Sequence, residues 1–464
     1  MTLFPTDAPI LRSAHMRAAE EAAFASGVAQ DALMDRAGLA VARHVRRMAL
    51  GRPILVLAGG GNNGGDAFVC ARYLREWGCD VVVAALPGRG EGAAARMRAA
   101  WGDAVSNLAD APDRPVVVDG LFGIGLWRPL APDIAEQLAR LTRDAFVVAI
   151  DLPSGIDADA VRHFDGAGRA DCTVALGALK PAHVTGADVS RMGHVLLADL
   201  GIALPDASYT IARPVIAAPA RDAHKYSRGL VTILAGAMPG AARLAAHAAL
   251  SAGAGYGILA GDDVRPGGPD ALVRRPLDDP SALLADERLA AVLVGPGLGR
   301  DAAATKLVAA ALACAAPLVI DGDAISLLGE AGVARIAART APTFLTPHGG
   351  EFVRMFGKGG GNKIDRTVQA ALQARATIVH KGPDTVIASP DGTVTVSSHA
   401  PSWLSTAGTG DVLTGILAAR LRPGGDRAAA EAVWLHSRAA QLAGPAFVAD
   451  ALIGHLEQAI AECR

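Results

Sequence analysis

Two textures alternate along the chain: short runs of Val, Ile and Leu, and longer Ala-rich stretches in which polar residues recur at helical spacing. Uninterrupted apolar runs suit strands buried on both faces, and segments of helical length between them suit βαβ crossovers, so the pattern predicts parallel sheets. In the first half the predicted strands are 53–58, 80–86, 115–119, 146–151, 172–176 and 194–199, with helices such as 66–77 and 132–142 between them. Ahead of the first strand, 15–48 reads as two helices broken at Gly27. From 201 to 228 the alternation fails in a stretch with three prolines and weak strand character, which places a domain boundary there and divides the chain into 1–215 and 216–464. It resumes with strands 230–235, 257–260, 291–294, 318–321, 343–346 and 377–380, then a hairpin of 385–388 and 393–397 around the turn sequence SPDG. From Ser405 onward the chain reads as helical apart from a turn at 422–425. Both halves are expected to be three-layer α/β domains.

Composition narrows the function. The chain has 464 residues, with Lys+Arg 44 against Asp+Glu 46 and a net charge of -2. No broad cationic face exists for nucleic acid or an anionic membrane, and neither is expected as a partner. A hydrophobic share of 51% and a mean hydropathy of +0.29 raise the question of membrane spans. The charge-free run 307–320 has 14 residues, short of the roughly 20 a span needs. The stretch 244–261 carries His247, Ser251 and four glycines. The five cysteines, Cys70, Cys79, Cys172, Cys314 and Cys463, form no CxxC pair, which argues against a disulfide framework and a zinc site. With no basic-then-apolar leader at the start, a cytoplasmic location is expected.

The first concentration of chemistry follows the first strand. Gly59, Gly61 and Gly64 fit GxGxxG between strand and helix, the pattern of a dinucleotide loop. That reading requires an acid at the end of the next strand, and there Asp80 stands at the start while the end, 84–86, is apolar. A dehydrogenase is set aside. The loop still offers backbone N–H groups at a helix N-terminus beside Asn62, Asn63 and Asp66, suited to phosphate, a cation or a ligand hydroxyl, or else to a simple capping turn. Two further strands end in Asp119 and in Asp151, the latter followed by Ser154. A parallel sheet delivers all of these to one edge.

In the second half no GxxxxGK[ST] is present, which excludes a Walker-type kinase. Gly408, Thr409 and Gly410 directly precede an apolar helix with Asp411 in its first turn. Such N–H groups stabilise a transferring phosphoryl group, and the carboxylate is placed to take a proton from the accepting hydroxyl. Lys381, among turn residues, suits nucleotide phosphates. Asp321 and Asp323 are candidates to orient a ligand hydroxyl or a magnesium ion. The residues alone leave open a small-molecule kinase acting on a vitamin or sugar alcohol, and a first half that only binds.

GNNGGD, VVDGLFGIGLWRP, DLPSGID and LGALKP resemble NAD(P)H-hydrate epimerase over roughly the first 200 residues. The resemblance implies a Rossmann-like domain that interconverts R and S hydrates, with hydrate contacts at Asn62, Asn63, Gly64, Gly65 and Asp66 and at Gly123, Ile124, Gly125, Leu126, Trp127, Arg128 and Pro129. It also implies a ligand contact at Asp151, here the candidate acid/base, and a potassium ion held by Asn63, Asp119 and Ser154. Ala67 stands where the family usually has glycine. From about His224 onward, VGPGLG, LVIDGDAISLL, LTPHGGEF, HKGPDTVI and GTGD resemble, in this order, ribokinase-like ADP-dependent NAD(P)H-hydrate dehydratase. This implies hydrate contacts at Ala241, Gly297, His348 and Asp411, with Asp411 as base. Nucleotide contacts are implied at Lys381, Gly382, Pro383, Asp384 and Thr385 and at Gly408, Thr409 and Gly410. Gly349 departs from the family's HPGE and is expected to loosen that turn. The implied partners are the hydrates NADHX and NADPHX and ADP as co-substrate with magnesium, and a homo-oligomer is expected.

Overall fold

The computed structural model describes residues 5–88, 92–206, 208–261, 268–398, 400–421 and 427–464. The chain divides into two compact units, Met1–Thr210 and Ile211–Arg464. The division falls inside the proline-bearing stretch, a few residues before 215. The turn expected at 422–425 lies outside the described residues.

In the first unit the parallel sheet runs, in spatial order, His194–Ala198, Cys172–Leu176, Phe146–Ile150, Val116–Gly120, Ile54–Ala58, Val81–Ala85 and Val105–Ser106. The pleat splits its side chains between two cores. Ile54, Val56, Val116, Val118 and Val148 pack under Gln30–Ala49 and Asn62–Glu76, while Leu55, Leu57 and Val117 meet Leu138 and Leu141 of Pro132–Thr142. The N-terminal helices are Ser13–Ala25 and Gln30–Ala49, and Gly27 between them adopts φ +100°.

The order in which strands are added across the sheet reverses between Ile54–Ala58 and Val116–Gly120, a topological switch point of the kind at which open α/β sheets bind ligands. The following helix starts at Asn62 rather than at 66, so the Asn-Gly run forms its first turn. Close packing explains this: a Cβ on Gly64 would lie 1.9 Å from the Gly59 carbonyl oxygen. Ala67 is accommodated by Gly120, whose Cβ position lies 2.6 Å from the Ala67 methyl.

The second unit repeats the logic in the order Val394–Ser397, Thr385–Ala388, Thr377–His380, Thr343–Leu345, Leu318–Ile320, Leu289–Val294, Leu230–Leu234, Tyr256–Ala260 and Val273–Arg275. Pairing is parallel from Thr377–His380 to Val273–Arg275 and antiparallel in the hairpin. Its switch point lies between Leu230–Leu234 and Leu289–Val294. The helix Thr409–Arg420, which opens with the GTGD residues, packs on Pro239–Ser251 so closely that a Cβ on Gly415 would sit 2.1 Å from the Ala245 carbonyl oxygen. Gly415→Ala is therefore expected to lower stability by about 1–3 kcal/mol through overpacking. Urea denaturation measures this, and an unchanged midpoint would show that the two helices separate at no cost.

Candidate functional sites

In the first unit a cavity of ≈ 610 Å³ opens at the strand C-termini, and Asn62, Asn63, Asp66, Asp151, Lys180 and Glu20 lie in its wall. Gly123, Ile124, Gly125 and Leu126 line it from the facing loop. Gly123 brings the backbone close to Asn63 and Asp151, its Cβ position lying 3.0 Å from Asn63 Oδ1 and 3.5 Å from Asp151 Oδ2. Other expected contact residues stand apart from this wall. Gly64 and Gly65 pack on Gly59 and Met34, Trp127 is 73% exposed, and Arg128 lies with its guanidinium 5.6 Å from the Trp127 ring.

Asp151 follows its strand with φ +63°, a left-handed conformation uncommon outside glycine. Its Oδ1 accepts from Lys180 Nζ at 2.5 Å and from Leu176 N at 3.1 Å. Oδ2 has no hydrogen bond among the described residues. Lys180 is buried and also donates to the carbonyls of Leu176 and Ala178, at 2.8 and 3.0 Å. His183 completes the support. Its Nδ1 accepts from Lys180 N at 2.8 Å, so Nε2 carries the proton and donates to the Asp151 carbonyl at 2.6 Å. Burial, with the Lys180 charge adding to it, pulls His183 down to about 4, which keeps the ring neutral.

Burial raises the proton affinity of the remaining carboxyls. Burial raises Asp66 well above the ordinary range, and the charges of Asp151 and Glu20 add to it. Burial likewise raises Glu20. Asp119 and Ser154 sit at the strand ends, fully enclosed. Ser154 Oγ donates to Asp119 Oδ1 at 2.6 Å and accepts from Phe122 N at 3.0 Å, while Ser154 N donates to Asp119 Oδ2 at 2.8 Å. Burial raises Asp119, and no cation among the described residues pairs with it.

The second site also gathers at strand ends. Gly297, at φ +59°, brings its Cβ position within 3.0 Å of the Ala241 methyl at the switch point. Lys381 Nζ pairs with Asp321 Oδ1 at 2.7 Å and lies 3.4 Å from the Cβ position of Gly410. Burial works against the Lys381 charge, but Asp321, Glu351 and Asp411 together raise its pKa. Asp411 is pushed up to about 6 by burial and by Asp321, against the pull of Lys381. Thr409 Oγ1 braces the glycine turn by donating to the carbonyls of Leu404 and Thr406.

Several expectations change here. Asp384 does not point free toward a nucleotide: Lys363 Nζ holds its Oδ1 at 2.8 Å and its carbonyl at 2.6 Å, fixing the 381–385 turn. Asp323 pairs with Arg300 and Asp321 with Lys381. Among the described residues no group of three or more His, Cys, Asp or Glu could hold a metal ion. The turn at His348 is closed rather than loosened by Gly349, because His348 and Glu351 form a reciprocal cap on Gly349–Phe356. Lys180, Glu20, Glu351 and Lys363 were not singled out in the sequence. Lys180 and Glu351 carried a signal, as lone charges in the quoted LGALKP and LTPHGGEF.

Two α/β units, each with buried carboxylates and a lysine at the ligand edge of its parallel sheet, define a two-site α/β enzyme. Residues 231–462 match the family described as NAD(P)H-hydrate dehydratase, and residues 30–182 match the YjeF-related protein N-terminus. The chain is 36% identical over 469 residues to the bifunctional NAD(P)H-hydrate repair enzyme Nnr of Mycobacterium leprae, covering 95% of this chain and 97% of that protein. Similarity to the protein of the same name in Gloeobacter violaceus is 36% identity, with 93% of each chain covered. A solved ADP/ATP-dependent NAD(P)H-hydrate dehydratase from Bacillus subtilis, co-crystallised with ATP/Mg2+, is 27% identical with a TM-score of 0.46, covering 54% of this chain and 95% of that one. The chain belongs to the bifunctional NAD(P)H-hydrate repair enzyme family. No helix among the described residues is long and apolar enough to cross a membrane.

Removing the ammonium beside Asp151 leaves a buried carboxylate unpaired, which costs about 3–5 kcal/mol. Lys180→Met is expected to lose that much in chemical denaturation; a loss below about 1 kcal/mol would show that the pair contributes little to stability.

Proposed function

We propose that this chain repairs hydrated nicotinamide dinucleotides: the first unit epimerises the R and S hydrates, and the second dehydrates the S form with ADP, releasing AMP and phosphate. The observation that carries the reading is the presence of two separate buried carboxylate sites, one in each matched part of the chain.

In the first unit, epimerisation at the hydrated carbon requires departure and return of the hydroxyl or transient ring opening, and hence a group that moves a proton. Asp151 supplies it through Oδ2, while Oδ1 is anchored by Lys180 and Leu176 N. The buried Nδ2 of Asn63, which has no partner among the described residues, donates to an oxygen of the ligand. Asn63, Asp119 and Ser154 would hold a potassium ion. All three present oxygen donors suited to a hard cation, and Asp119 is a buried carboxylate without a cationic partner among the described residues. When bound, the ion supplies fixed positive charge beside the hydrate oxygen.

In the second unit, Asp411 takes the proton of the hydrate hydroxyl as that oxygen attacks the terminal phosphorus of ADP. The bond from that phosphorus to the bridging oxygen breaks, and AMP leaves. The N–H groups of Gly408–Gly410 and the Lys381 ammonium stabilise the charge on the moving phosphoryl group. Phosphate then departs with its electron pair, a proton leaves the neighbouring ring carbon, and the reduced nicotinamide is restored. Water is a poor leaving group and phosphate a good one, which gives a phosphoryl-transfer site a use in dehydration. Magnesium enters with ADP as its complex.

The test follows absorbance of the reduced nicotinamide while the full chain meets a mixture of R and S NADPH hydrate with ADP and magnesium, with and without potassium. Nearly complete recovery is expected. Recovery of the S fraction alone would remove the epimerase, and a stable phosphorylated product would indicate a small-molecule kinase instead. Asp151→Asn is expected to lower R-hydrate recovery by about 100-fold or more, and Asp411→Ala to abolish dehydration. Because Asp411 acts ionised and its pKa is about 6, the dehydration rate is expected to fall as pH drops through that value; a flat profile down to pH about 5 would remove Asp411 as the base.

A further inference from the structure

Asp321 does not serve the helix it begins. It occupies the N-cap of Gly322–Leu328, where an aspartate ordinarily accepts from first-turn N–H groups, yet its side chain makes no such bond. Its Oδ1 accepts instead from Lys381 Nζ at 2.7 Å and from Thr346 Oγ1 at 2.6 Å. Asp321 and Thr346 are both buried.

The three residues follow three adjacent parallel strands, Leu318–Ile320, Thr343–Leu345 and Thr377–His380. Backbone bonds fix their register: Asp321 N to Val294 O at 3.1 Å, Thr346 N to Ile320 O at 3.1 Å and Lys381 N to Pro347 O at 2.8 Å. A lysine stem is long and rotatable, so an ammonium aimed at one point needs an anchor. Here the anchor is built from the sheet itself.

We infer that Asp321, braced by Thr346, is a positioning residue that holds the Lys381 ammonium against the Gly408–Gly410 turn and beside Asp411, setting the charge balance under which Asp411 accepts a proton. For the identity of the reaction, this rests on the dehydratase reading. After burial, the charges that bear on Asp411 are Asp321, which raises its proton affinity, and Lys381, which lowers it. Two other groups face Lys381 instead: Glu351 on Gly349–Phe356 and His436 on Ala428–Ala443. Asp321 therefore acts on Asp411 twice, directly as a like charge and indirectly by engaging the nearest cation.

Asp321→Asn keeps the shape and removes the charge. It frees Lys381 to neutralise Asp411, so Asp411 should ionise about one pH unit lower, the order expected for one charge lost at short range. Lys381→Met should move the ionisation upward. Two readouts on the full chain test this: the acid limb of kcat for S-hydrate dehydration, and the carboxyl ¹³C shift of Asp411, assigned by its loss in Asp411→Asn. A downward shift in Asp321→Asn and an upward one in Lys381→Met support the inference. An unmoved ionisation, or a uniform loss of rate with the limb in place, overturns it. If Asp321→Asn does not fold, Lys381→Met reads the same balance with the opposite sign. Thr346→Val should lower kcat and Thr346→Ser restore it; full activity in Thr346→Val would remove Thr346 from the arrangement. The ¹³C titration needs no substrate, so an unsubstituted chain that dehydrates no hydrate would sink the dehydratase reading while the titration still decides this one.

Discussion

A parallel strand covered by helices on both faces has no room for a charged side chain along its length, so polarity is driven to its ends. Both units obey this constraint. Val116–Val118 and Ile54–Ala58 are closed to solvent, and charge first appears at Asp119 and Asp151; in the second unit Leu318–Ile320 is closed and charge first appears at Asp321. Since all strands of a parallel sheet share one direction, their C-terminal ends fall on one edge. The acids that the core rejects are thereby collected into a site.

Collected acids repel one another and lose solvation, and each unit answers with a lysine, fully buried in the first and partly buried in the second. Lys180 holds Asp151 at 2.5 Å and Lys381 holds Asp321 at 2.7 Å. The outcomes differ. In the first unit the lysine clamps the carboxylate proposed to do the chemistry, leaving one oxygen of Asp151 for the ligand. In the second it clamps a different carboxylate, and Asp411, the proposed base, is left pushed up to about 6. One pairing fixes the geometry of a proton carrier, and the other sets its affinity.

Much of this was legible in the sequence. The strand runs stood out because fully buried strands need unbroken Val, Ile and Leu, and three of them, Cys172–Leu176, Thr377–His380 and Thr385–Ala388, match their predicted limits. Asp119, Asp151, Asp411 and the glycine turns were visible because each ends or begins an apolar run. Short edge strands such as Val105–Ser106 and Val273–Arg275 hold too few residues to show a period. The start of Asn62–Glu76 was masked by glycine and asparagine, whose helical fit depends on how closely the Gly59 backbone approaches Gly64. Partners were the least readable. That Lys363 would take Asp384, that Glu20 would reach the first cavity, or that Asp321 would abandon its own helix depends on distances across the fold that no local pattern encodes.

The backbone at Asp151 carries a further consequence. A left-handed conformation costs a residue with a Cβ roughly 1–2 kcal/mol, a cost that glycine escapes. Here the carbonyl of the strained residue is gripped by His183 and its carboxylate by Lys180, so the surrounding scaffold offsets the conformational cost. Position 151 is thus a place where the stability of the fold and the proposed chemistry rest on one side chain. Glycine there would recover that cost but would leave the enclosed Lys180 ammonium without its carboxylate, a loss of about 3–5 kcal/mol, so selection for thermal tolerance alone would still keep an acid at this position.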